Sequence, residues 1–71
     1  METDKTLLQE FGLKVKQRRK ELGISQEELA YRAGFHRTYI GMIERAERNI
    51  TLSNLKRLAD ALGVGLKELF N

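Results

Sequence analysis

The chain has 71 residues with no cysteine, no proline and a single histidine. This excludes a disulfide framework, a thiolate metal site and a histidine-built metal cluster, and no apolar run is long enough to span a membrane. A formal net charge of +3 fits an anionic partner. Nothing at the start resembles a signal peptide, so a cytoplasmic protein is expected. A chain this short buries only about 60% of its unfolded surface, so its stability is marginal.

Apolar spacing predicts an all-α fold of five helices. The first runs from about Asp4 to Leu22, with Phe11, Val15 and Leu22 at helical intervals, Leu8 as a further member, and Gly23 as its stop. The second starts at Ser25, where Ser25-Gln26-Glu27-Glu28 has the form of a reciprocal capping box. Leu29, Ala30 and Ala33 face inward and Gly34 ends it. The third spans about Arg37 to Arg45, with His36 as its N-cap and Ile40 and Ile43 as its buried side. A loop from Ala46 to Ile50 follows. The fourth begins after Thr51, turns Leu52, Leu55, Leu58, Ala59 and Leu62 inward, and stops at Gly63. The fifth is one or two turns from Leu66 to Phe70. There is no linker, repeat or low-complexity segment, so residues 1–71 read as one domain.

Between Gln26 and Glu44 two helices meet through a short glycine turn. Ala30 is small where they must approach, Gly34 tolerates positive φ, and Leu29, Phe35, Ile40 and Ile43 supply the inner surface. This is the spacing of a helix-turn-helix, over about residues 25–45. The stretch ISQEELAYRAGFHRTYIGMIERAERNITL resembles the phage-repressor-like (XRE/Cro-type) helix-turn-helix family. Within that family it is similar to the controller proteins of bacterial restriction–modification systems. The resemblance covers about Phe11 to Phe70, and SQEELA and RTYI…IER are its most specific parts. It implies a lambda-repressor-like five-helix bundle that binds double-stranded DNA as a homodimer, with Arg37–Arg45 as the recognition helix. The family more often has a polar residue near Gly41 and Met42. It often has glycine where Ala46 stands and proline where Ile50 stands. Either Ala46 takes positive φ, at a cost of roughly 1 kcal/mol, or the third helix runs further.

With Ile40 and Ile43 inward, Arg37, Thr38, Gly41 and Met42 share the outer face and are expected on base edges in the major groove. His36 is a base contact, a phosphate contact or only a cap. Gln26 is expected as a backbone clamp by resemblance, at a helix start whose amides can face phosphate. Tyr39, Arg45, Arg48 and Asn49 are further phosphate candidates, as are Thr51 and Ser53 at the start of the fourth helix. The run KVKQRRK reads as a solvated face. The resemblance sets Arg19 apart, in an internal ion pair with Glu44. The acids Glu27, Glu28, Glu44 and Glu47 each have a helical role in capping, dipole or pairing rather than acid–base chemistry.

The function these readings imply is sequence-specific transcriptional regulation by a controller of its own gene and a nuclease gene. A homodimer would span two half-sites of a near-palindromic operator. Leu66 and Phe70 are candidates for the dimer surface, or else they finish the monomer core. No cofactor, metal, small-molecule effector or enzymatic activity is expected. The alternatives are an antitoxin-like module that masks a protein partner, and a small phage-type repressor.

Overall fold

A computed structural model describes residues 5–70. The helices are α1 (Lys5–Glu21), α2 (Gln26–Ala33), α3 (Arg37–Glu44) and α4 (Leu52–Leu62), followed by a 3-10 helix, Leu66–Leu69. The described residues therefore hold four α-helices, not five. The expected start of the first helix at Asp4 lies outside them. The fifth element is 3-10 because it is one short turn that must return an apolar residue to the core. Glu68 donates to the Gly65 carbonyl at 3.1 Å, and Leu66 and Leu69, three residues apart, fall on one side. Leu69 is buried in the core, and Leu66 packs half-buried against it.

Each helix lends the core the residues that share its inner stripe. Val15, Leu29, Ile40, Ile43, Leu58 and Leu62 are its largest fully buried side chains. The helix α3 packs on both α1 and α2, and α2 also packs on α4. Two apolar residues expected inside lie at the surface. Leu22 is exposed because α1 already ends at Glu21, and the turn through Gly23 sends Ile24 to the core instead. Leu52 is 75% exposed because it opens α4, one turn before the buried stripe begins at Leu55.

The helix starts follow their capping residues. Ser25 Oγ accepts from the Glu28 amide at 3.0 Å, and Thr51 Oγ1 accepts from the Asn54 amide at 3.1 Å. The reciprocal half of the first box is replaced: the Glu28 carboxylate meets Arg32 one turn on, at 2.9 Å. At the end of α3 the Ala46 amide donates to the Ile43 carbonyl at 3.1 Å and the Glu47 amide to the Met42 carbonyl at 2.8 Å. This double closure needs a left-handed residue, and Ala46 supplies it with φ 59°. The loop question is thus decided in favour of the strained alanine.

A close helix contact is made at a glycine of α1. Gly12 of α1 is buried, and a Cβ there would stand 2.6 Å from the Ile43 carbonyl oxygen and 2.8 Å from that of Glu44. Both atoms are backbone of α3, so neither can swing aside. Gly12→Ala must push α1 off the end of α3. We expect a loss of about 1–3 kcal/mol in urea denaturation with helix content unchanged, the usual cost of overpacking a core.

Candidate nucleic-acid interface

The outward side of α3 begins at its cap. His36 Nδ1 accepts from the Thr38 amide at 3.2 Å, so the proton of the neutral ring sits on Nε2. His36, Arg37 and Thr38 are exposed, and Met42 is half-exposed. Gly41 departs from expectation because it is buried. Having no side chain, it is covered by the guanidinium of Arg45, whose Nη1 would lie 3.0 Å from a Cβ at position 41. The outer-face position expected for Gly41 is thus occupied by the exposed side chain of Arg45. The covering Arg45 is exposed and pairs with Glu47 at 3.1 Å, which raises the Arg45 pKa.

Behind the inner side of α3 lies a buried ion pair. Arg19 Nε donates to Glu44 Oε2 at 2.6 Å and Nη2 to Oε1 at 3.1 Å, a bidentate fork. The two side chains are only 11% and 3% exposed. Arg19 Nη1 also donates to the Ile24 carbonyl at 3.0 Å. The Gln26 amide group, expected to clamp phosphate, donates to Glu44 Oε1 at 3.1 Å. One carboxylate thus joins α1, the start of α2 and the end of α3. The hydrogen bond with Glu44 raises the Arg19 pKa and outweighs the burial that lowers it.

The flank of α3 is built on Tyr39. Its hydroxyl accepts from Asn54 Nδ2 at 3.1 Å, its ring meets Phe35 edge-on at 5.0 Å, and Arg48 lies 5.6 Å over its face. Arg48, Asn49, Thr51 and Ser53 are exposed along the loop and the start of α4. Two structural cations escaped the sequence reading. Arg57 of α4 donates to the carbonyls of Ala33 and Gly34 at 3.1 and 2.8 Å and lies 4.3 Å over the Phe35 ring. It pins the turn that aims α3. Arg18, placed in a solvated run, donates to the Leu62 carbonyl at 3.1 Å and closes the end of α4. Nothing local marks either role, since each carbonyl partner lies more than 20 positions away.

Among the described residues no group of acidic, histidine or cysteine side chains is arranged to hold a metal, and no helix is long and apolar enough to cross a membrane. The arrangement offers instead a rigid helix with a polar outer face and cations at its edges.

Removing one member of a buried, hydrogen-bonded pair leaves the other charge stranded, at about 3–5 kcal/mol. We expect Glu44→Ala and Arg19→Ala each to cost about 3 kcal/mol in urea denaturation. An Arg19→Met, Glu44→Leu double variant should recover much of that loss, because the stranded charge is gone. Additive losses would show that the pair acts through something other than its mutual charge.

The HTH_3 helix-turn-helix family matches residues 15–69 of the chain. The control protein C.BamHI of Bacillus amyloliquefaciens is 47% identical over 62 residues, which are 86% of this chain and 76% of that protein. The crystal structure of the restriction-modification controller protein C.AhdI from Aeromonas hydrophila superimposes with a TM-score of 0.87 at 43% identity, over 89% of this chain and 96% of that one. The structure of SinR, a master regulator of biofilm formation in complex with DNA, superimposes with a TM-score of 0.81 at 35% identity, over 86% of this chain and 98% of that one. With its family matched over most of its length, the chain belongs to the helix-turn-helix family.

Proposed function

We propose that this protein is a sequence-specific, DNA-binding transcriptional regulator of the restriction–modification controller type. It binds a near-palindromic operator as a homodimer and tunes its own promoter and that of a nuclease gene. The observation that carries this reading is the exposed outer face of α3, held from behind by the Arg19–Glu44 fork. A helix fixed in that way enters the major groove with its orientation already set, so little ordering cost remains at binding.

Arg37 reaches guanine O6 and N7, Thr38 reaches a base acceptor or a thymine methyl, and Met42 lies against thymine methyl or sugar. His36 adds an Nε2–H donor at the helix start. Gln26 and the free amides at the start of α2 take one phosphate. Tyr39, Arg48, Asn49, Thr51 and Ser53 take the backbone on the other flank. Two copies of α3 then sit about 34 Å apart, one turn of DNA. The dimer surface uses the end of the bundle where Phe70 is 48% exposed beside Leu7 and Leu13, while Leu66 packs half-buried against the core. With no effector expected, control follows from protein concentration through dimerisation. The protein acts by position and not by catalysis.

Selection of bound duplexes from a random library at near-physiological salt tests the reading. A two-fold motif with half-sites one turn apart, preferred at least about 10³-fold over scrambled DNA, is the expected result. Binding without enrichment would leave only a backbone-holding surface. On the selected duplex, Arg37→Ala should cost about 1–3 kcal/mol and relax preference at one base pair. Arg48→Ala should weaken all duplexes alike and lower the salt slope by about one. In sedimentation, Phe70→Asp should give a folded monomer. A folded dimer of unchanged affinity would remove Phe70 from the interface.

A further inference from the structure

A glycine inside a short helix weakens it, so position 41 needs a reason beyond helix formation. The group that covers it comes from one turn away. A Cβ at Gly41 would stand 3.0 Å from Arg45 Nη1, 3.5 Å from Nη2 and 3.6 Å from Cζ. The guanidinium of Arg45 thus occupies the space that a side chain at 41 would fill. Its Nε is engaged by Glu47 Oε2 at 3.1 Å. The two terminal nitrogens are the donors left over the glycine, and the side chain is 57% exposed.

Arg45 stands at the C-cap of α3, but its side chain folds back toward the N-terminus by about one turn, or 5.4 Å. That brings its charged end toward the half of the helix that docks on bases. Around the helix, Arg45 follows Thr38 by seven residues, which is two turns less about 20°. The two side chains therefore share one line of the outer face, opposite Ile40 and Ile43.

We infer that Arg45 is a base-reading residue that presents Nη1 and Nη2 to the two major-groove acceptors of a guanine. Glu47 is its positioning residue, and Gly41 is the space that lets it lie there. The inference rests on the DNA-binding function proposed above and moves Arg45 from the backbone to the bases. A phosphate contact would not require this arrangement, since a phosphate accepts a cation from many directions and a lysine can also serve there as a point charge. Nor would a carboxylate beside the DNA be favourable on its own. Glu47 is tolerable there because it holds the fork that reads the base.

The discriminating variant is Arg45→Lys, which keeps the charge and removes the fork. Random-duplex selection and salt titration are run on the wild type, Arg45→Lys, Arg45→Ala and Glu47→Gln, with circular dichroism melting as the control of fold. Arg45→Lys should hold scrambled duplex within about twofold of wild type yet lose about tenfold or more of the discrimination at one base pair. Glu47→Gln should blunt preference at that same base pair, and an unaltered preference removes Glu47 from its role. If Arg45→Lys selects the wild-type motif unchanged, and Arg45→Ala weakens specific and scrambled duplex equally with a salt slope lower by about one, Arg45 is a phosphate contact and the inference is overturned. A wild type that enriches no motif overturns the DNA-reading function itself, and this inference with it.

Discussion

The carboxylate of Glu44 is the joint on which the rest of the molecule depends. It sits at the end of α3, is almost wholly buried, and takes bonds from Arg19 of α1 and Gln26 at the start of α2. A buried carboxylate is costly unless it is paired and its lone pairs are filled. Here a bidentate guanidinium and an amide fill them, and no buried side-chain polar atom among the described residues lacks a partner. Such a pair is weak evidence for stability, because apolar residues of the same volume would serve as well. Its value lies in direction. The fork has one good geometry, so three chain segments share one relative orientation.

The same orientation is enforced twice more, by contacts of different kinds. Gly12 brings the backbone of α1 against the last carbonyls of α3, where no side chain could fit. Arg57 holds the turn before α3 by two carbonyls and a ring face. One contact is steric, one ionic and one a side-chain cap on a helix end. Together they fix both ends of a helix only eight residues long, which by its own propensity would be marginal in water. The helix can then give up a strong residue at Gly41 and take a strained one at Ala46. Packing, not propensity, holds it.

That exchange bears on function. With the inner side of α3 committed to the core and to Glu44, its outer side is free to be polar, irregular and specific. His36 caps the helix and turns a donor outward. Arg45 folds over the glycine and changes what that face offers. Exposed polar residues and scaffold residues therefore share one short helix, and the scaffold contacts come from α1, α2 and α4.

Much of this was legible in the chain. Period and caps placed α2, α3 and α4 within a residue or two, because apolar stripes and Ser25, His36, Thr51, Gly34 and Gly63 act locally. The outward positions of Arg37, Thr38 and Met42 followed from Ile40 and Ile43. Other features depended on residues far apart in sequence and could be settled only by the tertiary structure. The last turn became 3-10 because Leu69 must reach a core built by other helices. Leu22 and Leu52 fell outside because helix ends leave the stripe. Gly12 is indispensable only once α3 is laid across it, and Arg18 and Arg57 look like surface charge until a helix end comes within reach. Gly41 looked exposed because periodicity sees only its own position and not the arginine that folds back over it. Sequence by itself determined which elements form and which faces they bury, since those are decided by neighbours three and four residues away. Tertiary structure decided which polar groups are scaffold and which are left for a ligand, since that is decided by partners the chain brings together only on folding.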